Sequence, residues 1–120
     1  MPLVKKRLTI AAGATSSQVL SGTTYEYVNP NTRLVVAAQD ATGTYEGATN
    51  LNFTVNNAEF SRDALVSEKV TGEAFGWNGT GYVMNDMVTT GQIRNRPIIT
   101  FTNTGSSSAT IDVAVFIGSQ

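Results

Sequence analysis

The chain has 120 residues, eight basic and nine acidic side chains, no histidine and no cysteine. Without those two residue types, Ser-His-Asp and Cys-His catalysis fall away, as do the usual zinc, haem and iron–sulfur sites and any disulfide framework. A net charge of -1 gives no whole-molecule attraction to nucleic acid or to anionic lipid, so neither is expected as a partner.

Ser, Thr and Asn make up 36 of the residues while charged residues are only 14%, a balance that favours strands and turns over helices. The apolar fraction of 41% is enough for one core, and residues 1–120 read as a single domain. Adhesion or assembly is expected rather than catalysis: no enzyme, no cofactor and no resident metal.

The first segment carries Lys5, Lys6 and Arg7 ahead of an apolar stretch, which mimics a signal peptide. That stretch runs only from Leu8 to Ala12, against roughly 7–15 residues in a true export signal. No signal peptide or membrane span is therefore expected, and synthesis is placed in the cytoplasm. Residues 3–11 instead read as a strand, with Leu8 and Ile10 facing inward and Arg7 and Thr9 outward. The same alternation separates Lys5 and Arg7 from Lys6. Such a cluster serves as a solvated edge that discourages stray sheet pairing, or docks onto a partner protein.

Further strands are predicted over residues 18–27, over 32–38 with Leu34, Val36 and Ala38 on one face, and over 50–56 with Leu51, Phe53 and Val55 together. Between the last two, Asp40 and Glu46 share a loop rich in Gly and Thr, without the spacing of a known calcium loop. Residues 61–71 read as a strand, although Ser61, Asp63 and Gly72 also fit the cap, first turn and end of a short helix.

Asn78-Gly79 suits a tight hairpin turn between Phe75 and Trp77 on one arm and Tyr82 and Met84 on the other. The surrounding glycines match no phosphate-binding pattern. Phe75, Trp77 and Tyr82 are candidates for the core, for a protein interface or for a sugar-stacking platform. Arg94 and Arg96 share a face before Pro97, where a pair of guanidinium forks could anchor a carboxylate or phosphate.

Residues 97–103 and 109–117 alternate cleanly, the second with Ile111, Val113, Val115 and Ile117 on one side. Turn-forming residues 103–108 between them predict a C-terminal hairpin. About eight short strands in all predict an all-β fold: an antiparallel β-sandwich of the jelly-roll kind.

The C-terminal quarter reads NRPIITFTNTG and then SSSATIDVAVFIG. It resembles the last hairpin of the small all-β virion proteins of tailed bacteriophages: cement, decoration and jelly-roll vertex proteins. That resemblance implies a structural virion protein located in the capsid, which stabilises the head shell as a homo-oligomer. Its partners would be the major capsid protein and further copies of itself. On this expectation the interface would draw on Lys5, Lys6, Arg7, Phe75, Trp77, Tyr82, Arg94 and Arg96. Two other readings stand beside it: a carbohydrate-binding β-sandwich or receptor-binding fibre tip, and a shell-forming coat protein.

Overall fold

The computed structural model describes residues 3–42, 46–66, 83–90 and 94–119. Seven strands are found there: β1 (Leu3–Ile10), β2 (Thr32–Asp40), β3 (Thr49–Val55), β4 (Ala58–Leu65), β5 (Val83–Val88), β6 (Pro97–Asn103) and β7 (Ala109–Ser119). They form two antiparallel sheets, a four-stranded one in the order β1-β7-β2-β5 and a three-stranded one in the order β4-β3-β6. The all-β sandwich expected from the alternation is therefore what the chain adopts.

Strand periodicity explains the core. In β3 and β6 every second residue is buried, which puts Leu51, Phe53, Val55, Ile99 and Phe101 inside. From the other sheet come Ile10, Leu34, Val36, Ala38, Ile111, Val113, Val115 and Ile117, as the alternation of each segment predicts. The inner strands β2 and β7 are also buried on their far side, where Val35, Ala37 and Ala114 lie. That face is mixed, since Gln39 and Asp112 are buried beside them.

Two connections differ from expectation. Residues 103–108 do not close a hairpin: β6 belongs to the three-stranded sheet and β7 to the four-stranded one, so the link is an arch between layers about 10 Å apart. Asn103 secures it. Buried to 1%, its Nδ2 donates to the carbonyls of Ile10 (3.0 Å) and Ser107 (2.8 Å), and its Oδ1 accepts from Gly105 N–H. Among the described residues a tight hairpin is found at Asn56-Asn57 between β3 and β4, where both residues take positive φ (53° and 67°), as a two-residue mirror-image turn requires.

Residues 18–27 are not a strand either. Up to Val19 the chain lies loosely along β6: Ser16 N–H donates to Phe101 O and Val19 N–H to Ile99 O, while the Ser16 hydroxyl accepts from Phe101 N–H. Past Val19 its backbone turns on itself, Ser21 N–H donating to Gln18 O and Thr23 N–H to Leu20 O, and among the described residues it forms no ladder with a neighbouring strand. Of the segment 61–71, residues 61–65 are the second half of β4, as a strand reading expects. Val66 follows, buried, its N–H donating to Thr49 O; residues 67–71 lie outside the described residues, as does the predicted 75–84 hairpin apart from its last two residues, Val83 and Met84, which open β5.

Candidate functional site

β1 is an edge strand of the four-stranded sheet. Its alternation leaves Lys5 and Arg7 exposed on the outer face and turns Lys6 the other way. Arg7 stands opposite Asp112 of β7, and its Nε and Nη2 donate to the two carboxylate oxygens at 2.7 and 3.0 Å. That fork raises the arginine's pKa, first through the hydrogen bond and then through the opposite charge. A second fork on the same sheet joins Arg33 to Asp86 at 2.9 and 2.6 Å. Hydrogen bonding to Arg33 holds the Asp86 carboxyl below its ordinary value. Two of the chain's arginines thus spend their forks on its own carboxylates, which leaves Lys5 as the outward cation of β1 beside a recess of about 290 Å³.

Arg94 and Arg96 are both exposed, with Asn95 buried between them. They share a face, as predicted, but act separately. Arg96 is held through its backbone, its N–H donating to Asn56 Oδ1 and its carbonyl accepting from Asn56 N–H. The Arg94 guanidinium instead lies over the ring of Tyr27, 4.0 Å from the centroid, a cation–π contact. Phe75, Trp77 and Tyr82 lie outside the described residues, so the three basic positions of β1 and the two arginines before β6 are the predicted interface residues with a defined place. They fall in two regions, one along β1 and one at the start of β6.

Tyr27 is the functional candidate that sequence reasoning missed. Its loop is built from local side-chain bonds. Leu20 O accepts from both the N–H and the hydroxyl of Thr23, and Thr23 Oγ1 accepts from Tyr25 N–H. Glu26 takes the amide of Gly22, whose φ of 79° suits a residue without Cβ. Val28 then exchanges two backbone bonds of 2.8 Å with Asn95, and this bridge carries Tyr27 diagonally across to Arg94. After it, Pro30 leads into Asn31 at φ 60°, a turn that Pro-Asn favours. Asn29 O accepts from the hydroxyls of Thr32 and Thr89, each at 2.7 Å.

The result is a walled recess at one end of the sandwich. Tyr27, 43% exposed, borders two adjoining hollows. One, of about 250 Å³, is lined by Tyr25, Thr32 and Ile117 with Thr24, Val28 and Asn29; the other, of about 380 Å³, holds Arg94, Glu26 and Thr23 in place of the first three. Thr and Asn side chains, two rings and one guanidinium can position a polar ligand. Among the described residues that line the hollows there is no paired carboxylate or nucleophile–base arrangement.

At the opposite end, Asp40 and Glu46 border a much smaller hollow, and each is already engaged. Asp40 Oδ1 accepts from Thr42 N–H, and Glu46 accepts from Ser106 and Ser107. Among the described residues no group of three acidic, His or Cys side chains could hold a metal ion.

No family model, no curated protein and no solved structure matches this chain.

Proposed function

We propose that this chain is a capsid cement or decoration protein, a non-enzymatic virion component that binds the major capsid protein and stabilises the phage head as a homo-oligomer. The observation that carries this reading is the strand order. The first and last strands are neighbours, and β5, β6 and β7 alternate between the sheets. Counting the strip of residues 14–19 beside β6 as an eighth strand, the second sheet becomes strip-β6-β3-β4. Together with β1-β7-β2-β5 that order supports reading the sandwich as a jelly roll, an architecture that viral capsid domains and lectins share.

The surface chemistry suits adhesion by many modest contacts. Hydroxyl and amide side chains make wet, polar rims, and copies spanning several shell subunits gain affinity through effective concentration. Among the described residues Lys5, Arg94 and Arg96 are exposed cations that a shell partner could engage. The test is to mix the purified chain with heads from the phage that encodes it. Co-sedimentation and a higher head disruption temperature are expected; a stable monomer at high micromolar concentration that ignores the heads overturns the proposal. Particles formed on expression of the chain alone would favour the coat-protein reading instead.

A second reading, a carbohydrate-binding module or receptor-binding fibre tip, is favoured by one observation: the polar recess around the exposed ring of Tyr27.

A further inference from the structure

We infer that the recess around Tyr27 and Arg94 binds a carboxylate-bearing sugar residue of the uronic acid class. This inference is independent of the virion role, since a cement protein can present such a site on its outward side.

The argument begins with how the arginine is held. Arg7 and Arg33 give Nε and Nη2 to Asp112 and Asp86, so their forks are occupied. Arg94 is fixed by a ring face instead. A ring contact uses no carboxylate, so N–H donors of the guanidinium remain for a planar carboxylate, which such a fork accepts with two parallel bonds. Among the described residues Arg94 has no carboxylate partner; the carboxylate in its hollow, Glu26, is turned to the Gly22 amide. The site is therefore oriented before a ligand arrives, which lowers the ordering cost of binding.

Charge selects the anion. The Arg94 fork can pair with one carboxylate, while a phosphate dianion would meet twice the repulsion from Glu26 with no second cation among the described residues that line the hollow. Shape and lining select a sugar. Arg94 borders only one of the two hollows, while Tyr27 borders both. Thr24, Val28 and Asn29 border both as well, so the hollows adjoin: an acidic group can be seated on the Arg94 side and a pyranose body on the other. There Thr24, Thr32 and Asn29 offer hydroxyl and amide partners, and the ring edge with Ile117 offers apolar surface. Hydroxyl and amide side chains beside this apolar surface suit a pyranose, whose rim is polar and whose faces are apolar; the peptide arm of the experiment below separates this ligand from an acidic peptide.

The experiment is an NMR titration of the full chain with a glucuronate-containing trisaccharide, its neutral glucose counterpart and a glutamate-containing peptide. Wild type should bind the acidic sugar with shifts at Tyr27, and the neutral sugar should bind at least about tenfold more weakly, the loss of one charged bidentate contact. Arg94→Gln should lose that discrimination, Tyr27→Ala should lose binding to both sugars, and Arg96→Gln should match wild type. Equal binding of the two sugars, unchanged binding by Arg94→Gln, or no shifts at about 10 mM acidic sugar would overturn the inference. Binding of the peptide in place of the sugar would overturn it too, and would make the recess a protein contact.

Discussion

The carboxylate of Glu46 occupies the space where a side chain on Gly105 would begin. A Cβ there would overlap Glu46 Oε2 and come within 3.1 Å of Asn103 Oδ1 and 3.2 Å of the Ala48 Cβ. That close approach lets Glu46 reach over the arch between β6 and β7 and accept from Ser106 N–H, the Ser106 hydroxyl and the Ser107 hydroxyl at 2.8–2.9 Å. The arch is thus tied from outside by Glu46 and from inside by Asn103.

Gly105→Ala should therefore destabilise the protein. Glu46 is flexible and can swing away, but Ala48 and Asn103 cannot, so a cost of about 1 kcal/mol is expected. A urea midpoint equal to that of wild type would show that the arch is looser than its contacts imply.

Acid should loosen the same arch. Hydrogen bonds from the Ser106 hydroxyl, then the Ser107 hydroxyl, then the Ser106 amide hold the Glu46 carboxyl below its ordinary value of 4.5. A carboxyl depressed in the folded state adds stability that is fully present above the unfolded pKa and fades as pH falls through the lower folded one. Asp86 acts in the same direction, depressed from 3.8 by its bond to Arg33. Stability should drop as pH falls below 4.5, and Glu46→Gln should flatten the upper part of that decline. The check is the urea midpoint followed from about pH 6 down to about pH 2.

Asn103→Ala should be costlier than Gly105→Ala. It strands the carbonyls of Ile10 and Ser107 and the amide of Gly105 at a residue only 1% exposed. Unsatisfied buried groups at roughly 1–3 kcal/mol each, partly relieved by water at the rim, predict a loss of about 2–3 kcal/mol. A thermal melt resolves such a difference.

Gln39 offers the opposite case. It is fully buried on β2, opposite Asp112, and its Oε1 and Nε2 have no hydrogen-bond partner among the described residues. Gln39→Met keeps the length of the side chain and removes the unpaired amide, so stability should rise by about 1 kcal/mol. A fall of that size would mean that the amide is satisfied in solution.

The paired rings of Phe53 and Phe60, 5.9 Å apart, should respond unequally. Phe53 is fully buried and Phe60 is 43% exposed. Phe53→Ala should cost about 3–5 kcal/mol and Phe60→Ala about 1 kcal/mol or less. Similar losses would indicate that the β4 edge is covered in solution.

Much of the fold was legible because strand alternation is a local signal. Leu34, Val36 and Ala38, or Ile111 to Ile117, could be assigned to the core face with no knowledge of their neighbours. The site was less legible. Lys5 and Arg7 could be placed outward, but not that Arg7 would be claimed by Asp112, 105 positions away. Tyr27 fell within a segment read as a strand, and only the Val28–Asn95 bridge brings it to Arg94. The Asn56-Asn57 hairpin did have a local cue, two adjacent residues tolerant of positive φ, and could have been found.

Composition and alternation by themselves determined that this is a β-sandwich without thiol or imidazole chemistry, since both follow from residue type and a two-residue period. Which strands became neighbours was decided only in three dimensions. The stretch from Asn103 to Ser108 is equally suited to a hairpin and to an arch, and the choice depends on burying β6 and β7 in opposite layers. The pairing of Arg94 with Tyr27 has the same origin: no local rule specifies it, and it exists because closing the sandwich draws the 20–31 loop onto the start of β6.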